Sequence, residues 1–229
     1  MCQLYLYVEG QTEQVFATNV LAPYLANHGV YLMGPVLAEI SRRKRGGVLS
    51  YEPFRNGLRN LLKQHHRPGV WFSSMIDLYS LPKNFPEWEK AAERRNDPNA
   101  RVTHLEEALA SDIGDRRFIP YIQLHEFEAL LFADPASLAL HYAEKTKALE
   151  SLQAITAAHT SPELIDDGAT TAPSKRIIAA IPAYEGAKRV VGPEVAELIG
   201  LDILRAKCPH FRQWVDRLAA LAQTDDKIQ

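Results

Sequence analysis

The sequence predicts an α/β protein with a central, mostly parallel sheet flanked by helices and with a helical C-terminal part. Three apolar, β-prone runs occur at residues 4–8, 70–77 and 118–124, with helix-like spacing between them. The second run is almost continuously apolar, which is typical of a buried parallel strand. The spacing after the third run is almost wholly helical. We therefore expect an α/β core at residues 1–135 and a helical part at residues 136–229, packed together as one structural unit.

The first predicted strand leads into a turn that carries two acids. Residues 4–8 are followed by Glu9, and Gly10 allows a sharp reversal of the chain. Thr12 is placed to cap the next helix, and Glu13 lies on the first turn of that helix. Ligands of open α/β sheets bind at the carboxyl edge of the strands. Glu9 and Glu13 could therefore share a divalent cation at this edge.

A helix, an extended segment and a basic loop come next. Residues 14–26 have helical spacing. Residues 30–40 are extended, with an interruption at Gly34 and Pro35. The densest basic cluster of the chain follows on a glycine-containing loop and includes Arg43, Lys44 and Arg45. This cluster suits a solvated loop and a contact with a phosphate backbone equally well.

Two later strands also end next to acids. A helix at residues 54–64 precedes the second strand, whose last residue is Asp77. Two polar helices, at residues 85–95 and 102–111, then lead to the third strand, which runs directly into Glu126 and Glu128. These two glutamates are two positions apart, so on a helix they would point to different faces. Only one of them is then expected to reach a ligand, unless the segment is extended.

The chemistry follows from carboxylates that meet at one edge of a sheet. Such groups repel each other at neutral pH unless a bound cation cancels their charge. Ligands that are all oxygen suit Mg²⁺ or Mn²⁺ rather than zinc. A centre of this kind is adapted to phosphoryl transfer. The candidate metal ligands are Glu9, Glu13, Asp77 and either Glu126 or Glu128.

Basic residues also begin one of the C-terminal helices. Residues 174–181 have helical spacing, and Ser174 could cap this helix. Lys175 and Arg176 follow in its first turn, where backbone N–H groups favour a bound phosphate. An ordinary surface helix start would explain the same residues, so both interpretations stay open.

Composition and missing motifs exclude several classes of protein. The formal net charge of -2 argues against a protein that coats nucleic acid uniformly, though not against a local basic patch. Cys2 and Cys208 match no zinc spacing, and the chain lacks a Walker phosphate loop, a Rossmann glycine fingerprint and a Gly-x-Ser-x-Gly elbow. We see neither a signal peptide nor a run of about 18 apolar residues, and so expect a cytoplasmic protein without a membrane partner.

Four motifs in order resemble a bacterial family of Toprim-like proteins of unknown function. They are Val-Glu-Gly-x-Thr-Glu at 8–13, Met-Ile-Asp-x-Tyr-x-Leu-Pro at 75–82, Gln-Leu-His-Glu-Phe-Glu-Ala-Leu-Leu-Phe at 123–132, and Pro-Ser-Lys-Arg at 173–176. The first two also resemble the Toprim fold of topoisomerases, primases and overcoming-lysogenization-defect (OLD) family nucleases. The resemblance implies a Toprim-like sheet and a metal-dependent active site.

The resemblance also implies roles for individual acids. Glu9 matches the Toprim glutamate, which acts as a general acid–base or a metal ligand, and Glu13 matches the second acid of the OLD type. Asp77 matches the first aspartate of the Toprim Asp-x-Asp motif, but Tyr79 stands where the second is expected. One metal site is then either weakened or completed by Glu126 or Glu128, which leaves both one-metal hydrolysis and metal-assisted binding open.

Basic residues late in the domain stabilise the transition-state phosphate in related nucleases. Lys175 and Arg176 are the matching candidates here, with Lys175 as a catalytic residue. The leading hypothesis is thus a Mg²⁺- or Mn²⁺-dependent nuclease, with anti-phage defence as a candidate role. One alternative is a non-hydrolytic module that binds nucleic acid or an ATPase partner, and another is a phosphohydrolase of small molecules. The sequence leaves the oligomeric state open.

Overall fold

A parallel sheet forms the centre of the computed structural model, which describes residues 1–38, 50–165 and 171–225. Its strands β1 to β5 are, in chain order, Cys2–Val8, Val30–Leu37, Val70–Asp77, Phe118–Ile119 and Ile122–Gln123. The spatial order is β2-β1-β3-β4, and β5 also pairs with β3. Every pairing among these five strands is parallel. The predicted α/β class with a mostly parallel central sheet is therefore confirmed.

Helices flank this sheet and make up most of the chain after it. Helices α1 to α12 are Gln11–Phe16, Ala22–Ala26, Tyr51–Gln64, Trp88–Ala92, Pro98–Ile113, Ala139–Tyr142, Thr146–Ala157, Pro173–Ala180, Tyr184–Ile199, Leu201–Lys207, Pro209–Ala219 and Leu221–Asp225. A π-helical segment, Ala17–Leu21, joins α1 to α2. The predicted helical C-terminal part is confirmed. None of the helices in the described ranges combines the length and apolarity needed to cross a membrane.

Strand β2 carries the predicted interruption. The register against β1 shifts between Leu4 and Leu6, and Gly34 adopts a left-handed φ of 86° opposite this shift. A glycine is favoured there because a Cβ atom disfavours that conformation. The basic residues Arg43, Lys44 and Arg45 lie outside the described residues, so their contact with phosphate stays a prediction.

The third predicted strand is divided into β4 and β5, which the sequence did not predict. Pro120 has no N–H to donate, and it lies between the two short strands. Buried serines of β3 bond the backbone at the break. Ser73 Oγ donates to the carbonyl of Ile119 at 2.6 Å, while Ser74 Oγ lies 3.1 Å from the carbonyl of Tyr121. These side chains replace hydrogen bonds that a continuous strand would have made.

The two faces of the sheet bury separate cores, as the two-residue period of a strand requires. From β1, Leu4, Leu6 and Val8 enter the first core, whereas Tyr7 enters the second. Helix α3 covers the second core and passes so close that a Cβ on Gly57 would lie 2.2 Å from Tyr7 Oη. Only glycine therefore fits at position 57 without displacing the Tyr7 ring.

The C-terminal helices pack on the first core. Trp214 of α11 donates from Nε1 to Ser73 Oγ at 2.8 Å and stacks on Tyr121 with ring centroids 4.2 Å apart. The first core thus contains side chains from both sides of residue 135. The proposed division at that residue into two parts of one unit stays a prediction.

Three predicted helix starts were wrong. Helix α1 begins at Gln11 with Gly10 as its N-cap, so Thr12 lies inside the first turn. Helix α8 has Ala172 as its N-cap, so Ser174 likewise lies inside the helix. Helix α5 begins at Pro98, four positions before the predicted start, because Asp97 Oδ1 accepts the N–H of Ala100 at 2.9 Å.

Candidate active site

The ends of β1 and β3 bring the first two acids together. Val8 and Met75 are register partners, so Glu9 and Asp77 follow them on adjacent strands at the carboxyl edge. Oε2 of Glu9 accepts the backbone N–H of Asp77 at 3.0 Å and the hydroxyl of Ser80 at 2.5 Å. The carboxylate of Glu9 is therefore held across the two strands.

Asp77 has an oxygen that lacks a partner. Its Oδ1 is shielded from solvent and accepts no hydrogen bond from any residue that the structure describes. Burial raises the pKa of Asp77 well above its ordinary value, and the charges of Glu9, Glu13, Glu128 and Glu126 raise it further. A shielded, unpartnered oxygen among other carboxylates needs either a proton or a cation.

Glu13 approaches the same site from α1. Its side chain is buried, and Oε2 lies 3.1 Å from the position that a Cβ on Gly10 would occupy. Gly10 itself has an extended φ of -149°, so its small size matters here rather than a left-handed turn. Burial raises the pKa of Glu13 to about 7, with a further contribution from the charge of Glu9.

Glu126 and Glu128 both reach this region. His125 has a left-handed φ of 65° and Glu126 has an extended φ of -153°, so the chain is not helical before Phe127–Ala133 begins. Glu126 is thus the extended N-cap of this 3-10 helix, whereas Glu128 lies in its first turn, so the segment is neither wholly helical nor wholly extended. Burial raises the pKa of Glu128, and the charge of Glu126 raises it further.

The start of α8 satisfies Glu126. The backbone N–H of Ser174 donates to Oε1 of Glu126, and the Ser174 hydroxyl lies 3.0 Å from Oε2. Ser174 thus contributes to the site through Glu126 rather than by capping its own helix. The negative charge of Glu126 also lies at the positive end of the α8 dipole, where it is favoured.

Helix α9 contributes two residues that the sequence analysis missed. Lys188 Nζ lies 3.5 Å from Oε1 of Glu128, and the Lys188 side chain is 31% exposed. The fully buried Tyr184 donates from Oη to the same oxygen at 3.4 Å. The four-residue spacing of Tyr184 and Lys188 indicates one helix face. No pattern in the sequence shows that this face meets the acids.

Lys175 and Arg176, the basic residues predicted from the sequence, have no contact with the acids among the contacts described, unlike Lys188. Lys175 lies in the first turn of α8 with its side chain exposed. Arg176 donates from Nε to the carbonyl of Thr171 at 2.7 Å and so holds its own preceding loop. Tyr79, at the second position of the Asp-x-Asp motif, is 56% exposed, and its backbone N–H donates to the carbonyl of His125 at 2.8 Å.

The matched family covers almost all of these elements. Residues 8–219 match the family model described as "Domain of unknown function (DUF4276)". The chain belongs to this family. Neither the curated proteins nor the solved structures contain a match to this chain. The DUF4276 match includes all five acids, Ser174 and Lys188, so the whole candidate site lies within the family's domain.

The five acids of this DUF4276 chain surround the site without converging on one point. Over the described ranges, no three His, Cys, Asp or Glu side chains are arranged as the ligands of a metal ion. The donors are nonetheless all carboxylate oxygens, and Oδ1 of Asp77 is shielded and unpartnered among the described residues. Carboxylate oxygens are the donors that a hard divalent cation prefers, and without a cation the acids must be protonated or lie apart.

Proposed function

We propose that this chain is a Toprim-like, metal-dependent phosphodiester hydrolase that acts on nucleic acid. The observation that supports the proposal most directly is the buried carboxylate cluster with the unpartnered Oδ1 of Asp77. Structural carboxylates are normally paired or hydrogen-bonded when they are buried. An oxygen without a partner at the ligand-binding edge of a parallel sheet suggests a ligand.

Glu9, Glu13 and Asp77 would hold Mg²⁺ or Mn²⁺, with Glu126 as a nearby acid. A bound divalent cation would activate a water molecule and neutralise charge that develops on the phosphate. The chain's own residues position the donors: Ser80 and the backbone of Asp77 fix Glu9. Lys188 places a positive charge beside the cluster.

Nucleic acid as substrate is supported by the resemblance to Toprim nucleases and by basic residues near the site. Lys175 is exposed one position after Ser174, which bonds Glu126. In the proposal, Lys175 contacts a substrate phosphate, while Arg176 bonds the carbonyl of Thr171 just before its helix. Arg43, Lys44 and Arg45, which lie outside the described residues, would contact the phosphate backbone of the substrate. A cytoplasmic location, an ATPase partner and a role in anti-phage defence remain predictions.

A cleavage panel tests this function. Single- and double-stranded DNA and RNA are incubated with Mg²⁺, Mn²⁺ or EDTA, using the wild type, Glu9→Gln, Asp77→Asn and the control Glu107→Gln on the exposed face of α5. We expect cleavage that needs the cation, is lost in the first two variants and persists in the control. Retained cleavage in both site variants, with folding verified by circular dichroism, would refute the proposal.

A non-hydrolytic binding module is the second candidate, and the exposure of Tyr79 favours it. With Tyr79 56% exposed at the second Asp-x-Asp position, a ligand of the two-metal Toprim site is missing. Nucleic acid binding that weakens with salt, without turnover in any arm of the panel, would support this candidate. Turnover of mononucleotides but not of polymers would instead indicate a small-molecule phosphohydrolase.

A further inference from the structure

A row of cations follows the outer side of helix α3 and continues just beyond its end. Its members recur at every fourth residue, and we call them the basic row: Arg55, Arg59, Lys63 and Arg67. Residues four apart lie on the same face of a helix, so the three members within α3 form one line. The sequence has no aspartate or glutamate at residues 53–76 to balance them.

The basic row opposes the stability of its own helix. Like charges four residues apart repel each other, whereas an acid and a base at this spacing would attract. The negative end of the helix dipole favours Lys63 in the last turn of α3. This effect fades within one turn, so it does not reach Arg55 or Arg59. The row therefore needs anions from outside α3.

One carboxylate supplies part of this compensation. Asp112, near the end of α5, lies 4.0 Å from Arg55 Nη1 and 3.8 Å from Arg59 Nη2. It also accepts the hydroxyl of Tyr51 at 2.8 Å, which holds the carboxylate against α3. One negative charge beside two guanidinium groups leaves a positive charge in excess. Asp112 thus orients the two arginines without neutralising both.

The second half of the row is less compensated than the first. Lys63 and Arg67 are exposed, and neither forms an ion pair with another described residue. Asp115 is bonded instead to Arg117, at 2.7 Å. Arg117 also donates to the carbonyl of His65 at 2.7 Å, so this neutral pair lies beside the end of α3. It leaves the charge of the row unchanged.

The basic row extends from one edge of the sheet toward the other. At the start of α3, Tyr51 lines the same small depression as Ser80, the residue that bonds Glu9 of the acidic site. Just after α3 ends, His65 stacks on Tyr5 in the first half of β1, with ring centroids 4.2 Å apart. The row therefore leads from the carboxyl edge, where the acids lie, to the opposite edge.

From this placement we propose that the basic row binds the phosphate backbone of the nucleic acid whose reacting part lies at the acids. Neighbouring cations of the row are about 6 Å apart, which suits a polymer with one charge per repeating unit. A helix that binds a membrane surface presents an apolar face to the lipid. Helix α3 instead buries its apolar residues, such as Leu58 and Leu61, in the second core. The inference rests on the nucleic-acid substrate of the proposed function, but not on hydrolysis.

Binding measured in EDTA tests the inference without cleavage. The probes are labelled single strands and duplexes of DNA and RNA, followed by fluorescence anisotropy from about 50 to 200 mM salt, with vesicles that contain phosphatidylserine as a further arm. The test variant is Lys63→Gln/Arg67→Gln. The control Arg212→Gln/Arg217→Gln also removes two exposed cations, but from α11, which packs on the first core at the other face of the sheet. Circular dichroism verifies folding.

We expect nucleic acid to bind the test variant at least about tenfold more weakly than the wild type at the lowest salt. Each lost phosphate contact should also reduce the slope of log K against log salt by about 0.7 to 0.9, whereas the α11 control should keep the wild-type slope. Lys63→Arg/Arg67→Lys should bind as the wild type does, because the charges are kept. The arms with DNA and RNA show which backbone is preferred.

The other outcomes separate this surface from its alternatives. Equal weakening in the α11 control would show that net charge alone matters, and would overturn the inference. Unchanged binding in the folded test variant would overturn it as well, and would leave the proposed hydrolysis to the cleavage panel. A wild type that binds the vesicles but no nucleic acid would overturn it in favour of a membrane surface. The expected binding pattern without cleavage in Mg²⁺ or Mn²⁺ would support the inference and refute the proposed hydrolysis alone.

Discussion

Two buried clusters of charged residues in this molecule differ in how their acids are satisfied. At the start of α11, Glu163 accepts the backbone N–H groups of His210 and Phe211 at 2.9 and 2.8 Å. Glu106 lies 3.1 Å from His210 Nε2 and accepts the N–H of Ile122 at 2.8 Å. At the carboxyl edge, by contrast, five acids meet a single lysine in the described contacts, and Asp77 Oδ1 has no partner there.

The contrast separates stabilisation from function. The cluster around Glu163 caps α11 and ties that helix to α5 and β5, so it contributes to the stability of the fold. The acids at the carboxyl edge repel each other, so they cost stability while they are ionised. Buried groups that oppose folding and lie at a ligand-binding edge are typical of functional sites.

Removing Glu163 should have the largest effect on stability. Glu163→Ala leaves two N–H groups at the start of α11 without their acceptor, one of them buried, and should lower the free energy of unfolding by about 3 kcal/mol. Urea unfolding followed by circular dichroism measures this. Glu150→Ala, on the exposed face of α7, is the control and should change the value by less than about 0.5 kcal/mol. If Glu163→Ala also changed the free energy of unfolding by less than about 0.5 kcal/mol, the hydrogen bonds of Glu163 would not stabilise the fold and the contrast between the two clusters would fail.

Neutralising Asp77 should have the opposite effect on stability and a large effect on activity. Asp77→Asn removes one of the mutually repelling charges, so we expect a higher free energy of unfolding in EDTA. Cleavage should fall about 100-fold or more, because a metal ligand is lost. Unfolding in urea and initial cleavage rates measure the two quantities. A destabilised Asp77→Asn variant would mean that Asp77 supports the fold as Glu163 does.

The pH dependence of stability should contain a contribution from each cluster. The pKa of Glu13 is raised to about 7, so the folded chain binds its proton more tightly than the unfolded chain does. In the absence of cations, the free energy of unfolding should therefore fall as the pH rises from 4.5 to about 7, the ordinary and the raised pKa of Glu13. For His210, burial lowers the pKa, but the hydrogen bond to Glu106 raises it and the net shift is upward. Its contribution is also lost as pH rises, so the direction alone does not separate the two clusters.

A divalent cation should separate these two contributions. Saturating Mg²⁺ should remove the part of the pH dependence that comes from Glu13 and leave the part that comes from His210. Urea unfolding at pH 5 and pH 8, with Mg²⁺ or EDTA, measures both parts. The Glu13→Gln variant should reproduce the flatter profile in EDTA. An equal pH dependence in Mg²⁺ and EDTA would count against a cation at this cluster.

The smallest expected effect concerns Lys175 at the edge of the site. Its side chain is exposed, so Lys175→Gln should change the free energy of unfolding by less than about 0.5 kcal/mol. Cleavage should nevertheless fall about tenfold and depend less on salt, because a phosphate contact is lost. Arg189→Gln serves as the control for charge. Unchanged cleavage in Lys175→Gln would remove Lys175 from the proposed site and leave Lys188 as the nearest candidate cation.

Local patterns predicted the sheet well. The apolar runs that end at Glu9 and Asp77 form β1 and β3, because continuous burial favours parallel strands wherever it occurs. The third run was harder, because the break near Pro120 depends on Ser73 and Ser74 of another strand. The N-caps are Gly10 and Ala172 rather than the predicted Thr12 and Ser174, and Pro173 suits the first position of α8 because a helix leaves that N–H unbonded.

The composition of the site was only partly readable from the sequence. Glu9, Asp77 and Glu126 could be grouped because each lies at or just after the end of a predicted strand, and parallel strand ends share an edge. Lys188 and Tyr184 could not be assigned to the site from the sequence. Their contacts with Glu128 join residues about 60 positions apart and depend on the packing of α9. The sequence also indicated Ser174 as a cap, whereas its hydroxyl and N–H serve Glu126. Contacts of this kind depend on tertiary packing that local spacing does not encode.

Thermal and urea unfolding in a Mg²⁺ series tests the central claim most directly, namely that the acids at the carboxyl edge form a cation site. At a Mg²⁺ concentration of 100 times Kd, the wild type should gain about 2.7 kcal/mol in the free energy of unfolding at pH 8. Asp77→Asn should lose most of this gain, and Glu107→Gln should keep it. A wild type whose stability does not change up to millimolar Mg²⁺ or Mn²⁺ would contradict the account.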